Sequence, residues 1–377
     1  MRLRLFIPLL VTACLRENGA FDGDTSSGPA STTVTPTSGS ASTETSGGTT
    51  AGTTSTASQT GSSSSTEALT GSGPTTDAST STDTSTGGTT GDATTGEPID
   101  EPTLCGRLPG VWKLSAPKKL GMPVNLPKGD LDMWLSEPGM VLMWSSYRDN
   151  KLDTYRATRK SFGANFDQAF NNNQDIGLST PGEDTKIALS KNEERAYLAT
   201  KMPGDDGYRL YMGDRQNGSY APLSQVQLTF SGYPDIVDPH ISTDDLRIYY
   251  AASKADDQRL VVATRPGPDL PFMPPSAAPF VNVDEPDRIE VDPTLPAHEL
   301  VLIYARNAEL AEGGNDLYYA SRASKSDPFG APQKLSGVNS SLHDMSPHIS
   351  RDGCELFFIR GTDQDPYDWD IYRSEIQ

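Results

Sequence analysis

Seven acidic residues recur at fixed distances ahead of a repeated anchor position in this 377-residue chain. The anchors are Ser136, Ser190, Ser242, Pro296 and Ser350. Six residues before them stand Asp130, Asp184, Ile236, Glu290 and Asp344; four before, Asp132, Lys186, Asp238, Asp292 and Ser346. Two before stand Trp134, Ala188, His240, Thr294 and His348. Grouped carboxylate oxygens suit a hard cation such as calcium, or the cationic groups of a basic peptide. A pair of carboxyl groups at the right separation instead hydrolyses glycosidic bonds. The plainer alternative is that each acid caps a turn or accepts main-chain N–H groups. His240 and His348 share one column, which favours a structural role. Two imidazoles without a fixed third ligand make a weak metal site.

The elements that position these residues are strands. Just after each anchor comes a run such as Ile248-Tyr249-Tyr250-Ala251 or Leu356-Phe357-Phe358-Ile359. Such β-branched and aromatic runs between turn residues mark strands. A third strand follows each time, at Asp153 to Arg159, Leu210 to Arg215, Leu260 to Arg265, Leu317 to Arg322 and Ile371 to Ser374, and a weaker fourth follows the pattern of Ala331 to Leu335. The anchors are 54, 52, 54 and 54 residues apart, so one supersecondary unit is stacked on itself. Period two in the first strand places the three columns on one side. The acids are then expected to ring one mouth of a central channel, with His240 and His348 deeper.

Four short antiparallel strands per unit make a propeller blade. The clearest copies, Ser346-Pro347-His348-Ile349-Ser350-Arg351-Asp352-Gly353 and Asp238-Pro239-His240-Ile241-Ser242-Thr243-Asp244-Asp245, resemble the WD40-like Pro-Asp propeller repeat of TolB-type proteins. The resemblance covers about 250 residues, with degenerate first and fourth copies. It implies an all-β, five-bladed β-propeller over residues 103–377. TolB relatives are usually six-bladed, so six blades are the alternative. Thr103 to Leu131 does not provide a sixth repeat.

The last copy lacks a fourth strand. Val111 to Leu120 can supply it, because Ala116-Pro117-Lys118-Lys119-Leu120 parallels Ala331-Pro332-Gln333-Lys334-Leu335. Cys105 lies just before this strand and Cys354 lies in the unit it would join, so a disulfide between them is expected in an exported protein. A Cα separation well above about 7 Å rules such a bond out.

Residues 1–13 read as a signal sequence: a basic start, a short apolar core, then Val11-Thr12-Ala13-Cys14. These four residues resemble a bacterial lipobox. The resemblance implies lipidation of Cys14 and, with Leu15 following, the outer membrane. Residues 14–102 are a Ser/Thr/Gly-rich linker, too poor in large apolar residues to fold. As a flexible coil its core of roughly 76 residues spans about 50 Å. The absence of an apolar C-terminal tail speaks against a lipid anchor at that end.

The net charge is −19, and no long basic run is visible, so nucleic acid is not an expected partner. No nucleophile elbow, phosphate loop or His-Glu-x-x-His motif is present. The recurring Arg159, Arg215, Arg265 and Arg322 are expected to pair with turn acids. These readings converge on a monomeric, lipid-anchored scaffold of the cell envelope that binds a protein, peptide or envelope polymer and needs no cofactor, calcium excepted. The alternative is a glycan-active enzyme with acids at the propeller axis.

Overall fold

The structure is a computed structural model. It describes residues 101–377 except 137–138, 149–151, 168, 172–175, 221, 255–256, 278–279, 281–288, 308–313 and 363–367. The expected signal sequence, Cys14 and nearly all of the linker lie outside the described residues. So do Glu137 and Pro138 of the first turn.

Among the described residues every regular element is a β-strand. Strand β1 is Lys118–Lys119. The first unit holds β2 Asp130–Leu135, β3 Val141–Ser146, β4 Asp153–Thr158 and β5 Ala169–Asn171; the second holds β6 Glu183–Leu189, β7 Arg195–Lys201, β8 Arg209–Asp214 and β9 Ser224–Gln225. The third holds β10 Asp235–Ile241, β11 Arg247–Lys254 and β12 Asp257–Thr264, with an isolated bridge from Val262 to Ser276 where a fourth strand would lie. The fourth holds β13 Ile289–Thr294, β14 Val301–Asn307, β15 Asn315–Ser321 and β16 Gln333–Lys334, and the fifth holds β17 His343–Ile349, β18 Glu355–Gly361 and β19 Asp370–Glu375. Within each unit the pairing is antiparallel. The first strands neighbour one another in a cycle: β2 with β6, β6 with β10, β10 with β13, β13 with β17, and β17 with β2.

β1 completes the fifth unit from the other end of the described chain. Lys118 and Lys119 pair with Arg373 and Tyr372. Lys113 and Gln377 exchange both of their main-chain hydrogen bonds, at 3.0 and 2.7 Å. Cys105 is disulfide-bonded to Cys354, with Cα atoms 4.5 Å apart. Strand, main-chain ladder and disulfide therefore tie the amino-terminal segment to one sheet.

Each anchor serine builds the turn after its first strand. Ser242 Oγ accepts the Arg247 N–H at 2.9 Å and donates to Asp244 at 2.6 Å. Ser136, Ser190 and Ser350 accept from Val141, Arg195 and Glu355 in the same way. The third residue after the anchor is left-handed in all five turns: Gly139, Glu193, Asp245, Glu299 and Gly353, with φ between 55° and 70°. Glycine and aspartate adopt that conformation readily, whereas Glu193 and Glu299 adopt it at a cost the turn must offset. The second strands carry large buried rings: Tyr249, Tyr250, Phe357 and Phe358 are at most 1% exposed. Each such ring contributes roughly 1.5–3 kcal/mol by leaving water.

Candidate functional site

The first strands are not regular. In each of β2, β6, β10, β13 and β17 the register slips by one residue, between Leu131 and Trp134, Asp184 and Ile187, Val237 and His240, Val291 and Thr294, and Met345 and His348. These are β-bulges, two residues facing one on the partner strand. Four of the residues four before the anchors are left-handed: Asp132, Asp238, Asp292 and Ser346, with φ of 48°, 56°, 59° and 45°. Pro239, Pro293 and Pro347 follow three of them, at a site where a missing N–H is tolerated. The bulge breaks period two, so the three columns separate. This corrects the expectation of one acidic mouth.

The outermost column is structural. Asp130 accepts from Leu126 N at 2.9 Å, Trp144 Nε1 at 2.9 Å and Arg148 Nη2 at 2.8 Å. Asp184 accepts from Thr180 N and Oγ1 at 2.6 and 2.5 Å. Asp344 accepts from Ser340 N at 2.7 Å, Ser340 Oγ at 2.9 Å and Arg360 Nε at 2.8 Å. In each case the aspartate closes the loop that begins four residues earlier. All three are fully buried. Burial pushes the Asp130 and Asp344 carboxyls up against the opposing pull of these donors. Glu290 is also buried and lines a separate small cavity with Leu260, Phe280 and Phe329. None of these four acids joins the cluster at the centre of the cycle.

The middle column is what the five first strands bring together. Carboxylate oxygens of Asp132, Asp238 and Asp292 all lie within 4.8 Å of one another. Ser346 Oγ donates at 2.9 Å to Asp132 and stands 3.2 Å from Asp292, whose other oxygen accepts from Ser346 N at 3.0 Å. Lys186 Nζ stands 3.5 Å from Asp292. Burial, then the Asp292 charge, raises Asp132 to about 6 against the pull of Lys186. Burial, then Asp292 and Asp132, holds Asp238 well above the ordinary carboxyl range. Three carboxyl groups and one ammonium thus share one desolvated centre.

The third column faces the opposite opening. His240 and His348 have ring centroids 6.4 Å apart. With Trp134 and residues of the anchor turns, among them Lys191, Thr243 and Arg351, they line a cavity of about 50 Å³. The imidazoles therefore lie toward the anchor turns and not at the bottom of an acidic funnel. Burial and then Lys186 lower His240 to about 4, while burial and then His240 itself lower His348 well below the ordinary value. Both rings are neutral at pH 7 and hydrogen-bond main-chain groups of the next unit, at Leu295 and Leu135.

Of the recurring arginines, Arg215 pairs with Glu193 of its own unit at 3.5 Å, while Arg159, Arg265 and Arg322 act at the junctions between units. Arg265 reaches Asp245 at 2.8 Å and Tyr197 Oη of the second unit at 2.6 Å. Arg322 donates to Glu299 O at 2.9 Å and Tyr249 Oη at 3.1 Å. Arg195 and Arg247 approach Asp245 and Glu299 of the following unit, at 3.3 and 2.6 Å. At the junction of the fifth unit with the first the pattern is inverted. Gly139 occupies the acid's position, and Glu355 stands where Arg195 and Arg247 stand elsewhere. Arg159 closes the gap with two hydrogen bonds to Glu355, at 3.0 and 2.5 Å.

No protein-family model and no curated protein matches the chain. Among solved structures it is similar to TolB from Acinetobacter baumannii, at 9% identity over 66% of this chain, with a TM-score of 0.40. The chain spans 55% of that TolB. It is also similar to the α-L-arabinofuranosidase PaAbf62A from Podospora anserina, at 13% identity over 74% of this chain and 99% of that one, TM-score 0.46. A thermostable family-43 glycoside hydrolase aligns at 15% identity over 68% of this chain and 91% of that one, TM-score 0.45. At these identities and scores residue roles do not transfer.

Proposed function

We propose that the chain is an exported lipoprotein, anchored through Cys14 and held off the membrane by its linker, whose closed five-bladed propeller of TolB-like repeats is a binding scaffold of the cell envelope. Five units and the cycle of first strands support the blade count and the closure. One observation favours a scaffold over a glycan hydrolase. The axial carboxylate oxygens lie within 4.8 Å of one another, with Asp292 buried and Asp238 half-buried. That is closer than the roughly 5–5.5 Å of retaining or 6.5–9.5 Å of inverting glycosidases, which also need an open cleft for the sugar. The outer acids Asp130, Asp184 and Asp344 are occupied by loop N–H groups and hydroxyls, and two of them also by arginines. A cavity lined by Trp134, His240, Lys191 and Thr243 opens on the anchor-turn side, and a larger one of about 580 Å³ adjoins it at Lys191 and Thr243; there a protein, peptide or polymer ligand would dock.

The test uses the full chain in its own envelope. A photo-crosslinker at Thr243 is expected to yield a discrete adduct that is lost when the probe is moved to Lys334 on the outer β16. Replacing Cys14 with Ser is expected to release the protein from the membrane fraction. An adduct pattern independent of probe position would refute the docking face. Release of sugar from envelope glycans that disappears in Asp292→Asn would refute the scaffold reading itself.

A further inference from the structure

Lys186 is 1% exposed, and its Nζ makes no hydrogen bond to any described residue. An ammonium out of water with unused N–H groups is costly unless acceptors stand nearby. Three carboxyl groups are at hand, yet the lysine lies 3.5 Å from one oxygen of Asp292 and does not settle among them. The oxygens of Asp132, Asp238 and Asp292 face each other instead. Left-handed main chain at all three fixes this orientation, and Ser346 braces Asp132 and Asp292.

We propose that the centre of the cycle is a calcium-class divalent cation site formed by Asp132, Asp238 and Asp292, with Ser346 Oγ beside it and Lys186 as its internal counter-charge. Charge sets the valence. An arriving cation displaces the protons that burial and mutual repulsion favour on these acids, and the three carboxylates it then meets, set against one ammonium, leave two negative charges, which one divalent ion neutralises. Size sets the class. Three oxygens no more than 4.8 Å apart always leave a point within about 2.8 Å of all of them. Contraction by a few tenths of an ångström reaches the 2.3–2.6 Å that calcium takes with carboxylate oxygens. Magnesium needs near-ideal octahedral geometry at about 2.0–2.1 Å, which asks for a much larger collapse of five bulged strands. Waters carried in with the ion give the Lys186 ammonium the acceptors it lacks. The site stands apart from the docking face, and it would persist if the scaffold reading failed.

The probe is calcium chloride added to the full chain after chelator treatment, followed by calorimetry and thermal melting. One ion per chain and a raised melting midpoint are expected, with magnesium at least tenfold weaker. Asp292→Asn and Asp132→Asn are each expected to weaken binding at least tenfold. Asp269→Asn, on the exposed surface, should leave it unchanged. Lys186→Met carries the most information, because removal of the internal cation must tighten calcium binding at least tenfold. A merely structural lysine gives no such gain. Absence of one-to-one binding, equal loss in the Asp269 variant, or Lys186→Met binding no tighter than the unmodified chain each overturns the proposal. If the aspartate variants fail to fold, the stoichiometry and the Lys186 variant still decide it.

Discussion

Replacing Glu355 with Gln should weaken the junction between the fifth and first units more than any other conservative change there. Glu355 and Arg159 are both fully buried and share two hydrogen bonds. Arg159 also donates to Gly139 O and stacks near Phe166 and Phe357 at 5.1 and 6.0 Å, so the guanidinium cannot follow its partner out to water. Removing one partner of such a pair leaves an uncompensated buried charge, which costs about 3–5 kcal/mol. At about 2 °C per kcal/mol for a domain of this size, the melting midpoint should fall by roughly 6–10 °C. Arg159→Met should cost less, because Arg373 Nη1 remains 3.5 Å from Glu355. Replacing both residues with Met should recover most of the loss, since apolar groups of similar volume often substitute for a buried ion pair at little cost. The assay is a double-mutant cycle by thermal and urea unfolding. A Glu355→Gln midpoint within about 2 °C of the unmodified chain, or no recovery in the double variant, would show that the pair does not hold this junction.

Three further outcomes follow from the same geometry. Cys354→Ser, or reduction, opens a loop with a sequence separation of 249 and should cost about 5 kcal/mol in the chain-entropy picture, read as a drop in the urea midpoint. Glu299 feels burial, which raises its carboxyl, but Arg247 and then Lys325 outweigh this and hold it at about 2, against 4.5 unfolded. Its depressed value contributes about 3 kcal/mol above pH 4.5, lost as pH falls from there to about 2; Glu299→Gln should flatten that limb of the stability curve. Gly353 has φ of 70°, and an added Cβ would meet Cys105 N at 3.2 Å and Leu104 at 3.3 Å. Gly353→Ala should therefore cost about 1–2 kcal/mol, and no measurable loss in urea unfolding would contradict the contact.

The strands were legible because their signal is local. Ile248 to Ala251 and Leu356 to Ile359 each fall within a strand, and Lys118–Lys119 joins the sheet of the fifth unit where its likeness to Gln333-Lys334 placed it. The site was half legible. Asp132, Asp238 and Asp292 were named for their spacing, but period two grouped them with Asp130 and Asp344, which the structure sends elsewhere. The hidden variable was one extra residue per strand. Its signature was present: Pro239, Pro293 and Pro347 follow directly on the bulged residue, in a strand whose neighbours are otherwise strongly paired. Lys186 and Ser346 were passed over because each is alone in its column. The exchange between Gly139 and Glu355 was illegible, since the replacement acid comes from the opposite end of the repeat array.

Repetition and function pull against each other in such a chain, and the columns show where each prevails. The anchor hydroxyls and the left-handed turn residues recur because each unit must close the same turn. The outer acids recur because three loops need the same cap. A feature that every unit shares serves the units. The column four before the anchors reads Asp, Lys, Asp, Asp and Ser, and no loop or turn requires those differences. Its five side chains meet at one centre, so their differences combine into a single environment with a defined charge and shape. Substitutions in the outer acids should therefore be read out as stability, and substitutions in the bulged column as ligand affinity. A bulged-column variant that changed only the melting midpoint, with calcium binding intact, would return the centre of the cycle to the scaffold.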